Sequence, residues 1–188
     1  SYDIHGLETA QCMSERRAGG ETGVKSMQAV RGPKVWEILA ERESTRRLFF
    51  AALARSFSCR GNDRSSCLPP DLDWLKQSIR DPIAYFYEHL DGFRTAMFLA
   101  NGLVSDFNYA GLERGGRIHS CQMHLPMPPA HSTLADFFSP LMNHIEWMVL
   151  NNAAPYPAER TLLTSGMTLF GVESLHRGGV ELPTPELK

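Results

Sequence analysis

The stretch from Ile83 to Tyr109, IAYFYEHLDGFRTAMFLANGLVSDFNY, constrains the fold more than any other part of the chain. Two tight-turn dipeptides, Asp91-Gly92 and Asn101-Gly102, punctuate runs of apolar and aromatic residues. Such dipeptides favour the positive φ that a hairpin turn matched to sheet twist requires. Side chains alternate across a strand, so Ile83, Tyr85 and Tyr87 share one face, and Ala84, Phe86 and Leu90 the other. After the first turn, Arg94, Ala96 and Phe98 oppose Phe93, Thr95, Met97 and Leu99 in the same way. The pattern predicts an antiparallel meander with bulk on both faces.

The flanking segments read mainly as helix. Ile4, Leu7, Ala10 and Met13 recur at helical spacing, and the polar run ERRAGGETG after them reads as an exposed glycine-rich loop. Val24 to Arg31 is a candidate strand, turned out by Gly32-Pro33. Val35 to Phe57 is helical in composition but interrupted near Ser44-Thr45, either of which suits an N-cap. The loop from Cys59 to Pro70 leads into a short helix, Asp71 to Arg80, with Leu72, Leu75 and Ile79 inward. Arg117 to His124 is the next strand, and LPMPPAH a connector. Thr133 to Leu150 is the strongest amphipath: Leu134, Phe138, Leu141, Ile145 and Met148 repeat every three or four residues. Ser132 or Thr133 can cap it, with Asp136 completing a capping box. Pro157 opens a last helix with Leu163, Met167 and Phe170 inward, closed by Arg177-Gly178-Gly179. The tail VELPTPELK reads as extended and polar.

These elements predict an α+β fold in two layers: a mostly antiparallel open sheet with helices on one face. The 188 residues, 43% hydrophobic, suit one domain over 1–188. Its parts are an N-terminal helix and loop (1–23), strands with a helical insertion (24–131), and C-terminal helices with a tail (132–188). One layer of helices leaves the other sheet face bare, which predicts self-association through that face, with Tyr85 and Tyr87 in the contact. The competing cover is an additional domain, or the Ile4–Met13 and Cys59–Asp81 segments.

A formal charge of −2 gives no electrostatic reason to expect nucleic acid or an anionic membrane as partner. No run reaches the roughly 20 apolar residues of a membrane span, and no secretory leader is recognisable, so the expected location is cytoplasmic. Of the four cysteines, Cys59 and Cys67 flank a polar loop and could pair locally, or stay reduced.

Several chemistries lack their signatures. The glycine pairs at 19–20, 115–116 and 178–179 stand in no GxGxxG, and GxxxxGK[ST] and GxSxG are absent. His119 and Cys121 share a strand face, with His124 opposite and His131 seven residues on. A zinc site needs three or four convergent ligands, so packed side chains are the simpler reading. Arg16, Arg17, Arg114, Tyr156 and Arg160 could reach a carboxylate or phosphate, with solvated surface as the default. His5 is the ionisable group best suited to relaying a proton to or from an alcohol or carbonyl.

Taken together, YDIHGLETAQCMSERRAGGETGVKSMQAVRG, the DG-hinged strand pair running into LVSDF, AAPYPAERTLLTSG and SLHRGG resemble the carboxy-terminal half of a subgroup of the glucose–fructose oxidoreductase and inositol dehydrogenase family. That resemblance implies a substrate-binding and oligomerisation domain of a nicotinamide-dependent oxidoreductase acting on a sugar, polyol or related hydroxy or keto compound. It places a catalytic histidine at His5 in DIHGLE, although Glu8 stands where the family's pattern has a downstream aspartate. Arg16, Arg17, Tyr156 and Arg160 join Glu8 as candidate substrate contacts for a small polar substrate. The dinucleotide fingerprint and upstream lysine belong to a nucleotide-binding domain this chain lacks. NAD or NADP is therefore implied only for a longer protein, with no cofactor bound by this chain alone. The alternative is a stand-alone, non-catalytic module that binds a ligand or a protein.

Overall fold

The computed structural model describes residues 2–59, 71–123 and 138–188. In chain order the elements are α1 (Asp3–Ser14), β1 (Val24–Arg31), α2 (Pro33–Glu41), α3 (Glu43–Leu53), α4 (Leu72–Ser78), β2 (Asp81–His89), β3 (Arg94–Asn101), β4 (Asn108–Leu112), β5 (Ile118–Gln122), α5 (Ser139–Asn151), α6 (Ala158–His176) and β6 (Leu182–Pro183). The chain divides into two units, one of Ser1–Met123 with Leu163–Lys188, the other His124–Leu162.

The first unit is built on an open antiparallel sheet in the order β3-β2-β1-β6, and the class is α+β, as the sequence pattern indicates. Strand β2 is central, pairing Tyr85 with Ala29 on one side and with Met97 on the other. Its alternation splits the core in two. Ala84 and Phe86 join Val30, Val35, Leu39, Phe49, Leu53 and Leu75 beneath α2, α3 and α4. Tyr85 and Tyr87 join Leu7, Met27, Met97 and Met167 beneath α1 and α6. Helices thus cover both faces, giving three layers where one helical layer was expected. Tyr85 and Tyr87 are buried at 0% and 3% exposure. This removes the reason for self-association through the sheet: α1, the competing cover, lies over that face together with α6.

The meander also stops one strand early. Strands β2 and β3 form the expected hairpin, with Gly92 at φ 80°. Beyond Gly102, β4 leaves the sheet and pairs with β5 in a separate two-stranded sheet. Asp106 anchors that departure by accepting from Ser56 Oγ, the Phe57 amide, Asn108 Nδ2 and Gln122 Nε2. Four donors on one carboxylate tie the residues after α3 to β4 and β5. Leu90 sits in the turn and is exposed rather than inward.

Other boundaries move by a few residues. The helical run breaks at Arg42, so neither Ser44 nor Thr45 caps α3. Asp71 caps α4, its carboxylate accepting from the Trp74 amide at 2.8 Å. The tail is a structural part of the sheet. β6 pairs with β1 at Ser26 and Met27, and Leu187 is buried in the α1/α6 core. Its sequence is polar because β6 is a short edge strand and only alternate side chains turn inward.

In the second unit, α5 covers the later part of the predicted helix and runs one residue past it to Asn151, while Ser132, Thr133, Asp136 and the connector LPMPPAH lie outside the described residues. No residue of α5 is buried. No helix among the described residues is long and apolar enough to cross a membrane.

Candidate functional site

The densest group of interacting ionisable side chains in the first unit lies where the glycine-rich loop meets the β2–β3 turn. Gly19 and Gly20, at φ 92° and 72°, turn the chain back after α1 so that Glu21 reaches the end of β2. There the Leu90 amide donates to Gly23 O at 3.0 Å, docking turn on loop. The loop expected to be solvated surface therefore carries two of the cluster's charged members, Arg17 and Glu21.

Glu21 is its hub. One carboxylate oxygen contacts His89 Nδ1 at 2.9 Å and accepts from the Thr22 and Gly23 amides, while the other accepts from Gln11 Nε2 at 2.6 Å. Burial alone would push the Glu21 carboxyl up. The bonds from His89 and Gln11, the His89 charge and the Gly23 amide outweigh it and hold the group well below the usual carboxylate range. His89 is fully buried, with Nε2 3.4 Å from Thr95 Oγ1. Arg17 closes the outer side. It donates to Asp91 at 2.8 Å and to Ser14 O, lies 3.6 Å from Glu21, and covers the Phe93 ring. Its hydrogen bond is the main reason the Asp91 carboxyl is pushed down to about 2.

Carboxylate, imidazole and hydroxyl stand in the order that activates a nucleophile in covalent catalysis. Access decides against that use: His89 has no exposed surface, and 3.4 Å is long for a transfer-competent bond. Two buried polar atoms of neighbouring side chains, Gln11 Oε1 and the Tyr87 hydroxyl, have no hydrogen-bond partner. Burial raises the Tyr87 phenol, with the neighbouring Thr95 acting in the other direction. The arrangement locks loop to sheet. Glu21 and His89 were not singled out in the sequence, because the contact spans 68 residues and no local spacing encodes it.

Of the candidate residues read from the sequence, His5, Glu8, Arg16 and Arg17 lie in the first unit, and Tyr156 and Arg160 in the second. His5 is exposed in the first turn of α1, its ring 5.9 Å from that of Tyr2. The same turn is fastened from below, where Tyr85 donates to Asp3 at 2.5 Å. Burial and the Asp3 carboxylate both raise the Tyr85 phenol. Glu8, half-buried, accepts from Thr164 Oγ1 of α6 and so joins two helices of the same layer. Arg16 points outward and donates to Cys12 O. Arg17 belongs to the Glu21 cluster. In the second unit, the Arg160 guanidinium lies 5.8 Å from the Tyr156 ring. Tyr156 and Arg160 thus contact each other.

On the opposite layer, Arg46, Phe50, Asp71, Leu72, Asp73 and Lys76 line an open groove of about 450 Å³. Its mixed charges single out no ligand. His119 contacts Glu113 at 2.7 Å on the β4–β5 hairpin, and no three His, Cys, Asp or Glu among the described residues converge as metal ligands. His124, His131 and Cys67 lie outside the described residues, and Cys59 is buried. Comparison with family models, with curated proteins and with solved structures found no match.

Proposed function

We propose that this chain is the substrate-binding and oligomerisation domain of a nicotinamide-dependent oxidoreductase acting on a sugar, polyol or related hydroxy or keto compound. The observation that carries the reading is the setting of His5 within DIHGLE. Its imidazole stands exposed on a helix whose inner side is held by buried Leu7 and the Asp3–Tyr85 bond. A proton-relay group must be open to substrate yet rigidly mounted, and His5 meets both conditions. In this reading His5 exchanges the substrate's hydroxyl proton.

The passage from β1 into α2 does not offer the helix N-terminus that a dinucleotide's pyrophosphate takes. Strand β1 passes through the single Gly32 into α2, whose first residue, Pro33, has no amide hydrogen to offer a phosphate. Any nicotinamide is therefore assigned to a separate nucleotide-binding domain. His5→Gln in the product of the complete reading frame should lower kcat by about 10²–10⁴-fold with little change in KM. Undiminished turnover, or a complete product that neither binds NAD(H) nor NADP(H), would overturn the proposal.

A second reading, a non-catalytic module that binds a ligand or protein, is favoured by the exposed apolar surface of α5. Nicotinamide fluorescence during titration of the complete product separates the two.

A further inference from the structure

Helix α5, which the sequence reads as strongly amphipathic, has no fully buried residue. Leu141, Met142, Ile145, Met148 and Val149 fall within about 120° of one another on the α5 wheel at 100° per residue. They are 40% to 71% exposed. We infer that this stripe is a self-association surface, occupied by α5 of a second copy of this chain. The inference deepens the oligomerisation part of the proposed function, and does not depend on the redox part.

Three observations select that occupant. The first is area. Five side chains of roughly 200 Å², about half exposed, present on the order of 500 Å² of apolar surface. Two copies would bury about 1,000 Å² before any polar rim is counted, which is where specific interfaces begin. The second is charge. The chain has no lysine or arginine from 118 to 159, and α5 holds only Glu146 as a formal charge. Helices that lie on anionic membranes carry basic residues on their polar face, so a lipid surface is the poorer match. The third is complementarity. His144 and Glu146 flank the stripe on opposite edges, one residue either side of Ile145. In a parallel two-fold pair each Glu146 faces the other copy's His144 across the seam, while the apolar strips meet face to face.

Sedimentation velocity of the unmodified chain at micromolar concentration should give twice 21.1 kDa. Ile145→Glu and, separately, Met142→Lys should each weaken association at least tenfold, with unchanged far-ultraviolet circular dichroism. Two variants are named so that a folding defect in one leaves the other decisive. A monomeric unmodified chain, or a dimer that survives both substitutions, would overturn the inference. So would a monomer that floats with phosphatidylcholine–phosphatidylserine vesicles, since the stripe would then be serving lipid. Nucleotide binding by the complete product is read separately, so the two proposals fail independently.

Discussion

At the scale of single residues, the Glu21–His89 contact ties the glycine-rich loop to the end of β2. The depressed Glu21 carboxyl means that the folded state releases a proton that the unfolded chain retains at mildly acidic pH. Its contribution is therefore complete above the unfolded carboxylate value of about 4.3 and is lost as pH falls below it toward the lower folded value. Asp91, held near 2 by Arg17, adds to the same slope between about 4 and its folded value. Urea midpoints should thus hold from neutral pH down to about pH 5 and fall from there toward pH 3, and Glu21→Gln should flatten that fall. Equal slopes for the two proteins would contradict the assignment. At neutral pH, Glu21→Gln should lower stability by about 2 kcal/mol, because His89 and Arg17 lose the charge they face.

At the scale of elements, close approach sets how α6 lies on the sheet. A Cβ at Gly171 would come 2.1 Å from the Tyr85 ring, on a side chain that is fully buried. The ring is fixed at its far end by Asp3, so α6 must lift instead. Gly171→Ala should therefore destabilise by about 1–3 kcal/mol despite its better helix propensity. At Gly115, where nothing lies within 4 Å and no positive φ is required, alanine should be neutral in the same melting experiment. The tail gives the complementary case. Leu187→Ala should cost about 2–4 kcal/mol in chemical denaturation, although its neighbours read as a polar terminus. A loss below 0.5 kcal/mol, the usual limit for surface substitutions, would show that the tail is only apposed.

At the scale of the whole molecule, the division into two units separates two kinds of apolar surface. The first unit has two buried apolar cores, one on either side of a four-stranded sheet. The second presents α5 with none of its residues buried. If α5 pairs between copies, association is linked to stability, and the thermal midpoint should rise with protein concentration. Ile145→Glu should abolish that dependence. A concentration-independent midpoint for the unmodified chain would agree with a monomer.

Local chemistry was enough to read the limits of β1, the hairpin at Asp91-Gly92, the helical character of α1, α4 and α6, and the two-sided character of β2. Each of these depends on periodicity or on turn residues a few positions apart, and short-range sterics decide them. Tertiary structure alone decided what covers each face. The exit of β4 from the sheet depends on Asp106 gathering donors from both ends of the intervening chain. The recruitment of β6 depends on pairing with Ser26 and Met27, more than 150 residues away. The Glu21–His89 lock likewise joins a loop to a strand end with no spacing in common. An amphipathic stripe states that a helix needs a partner but not which one, so α5 and α6 look alike in sequence. The strip of α6 containing Leu163, Met167 and Phe170 meets Tyr85 and Leu187 within the chain, whereas that of α5 remains exposed. Physically, the pattern encodes the demand for burial, and only the packing of distant elements determines where that demand is met.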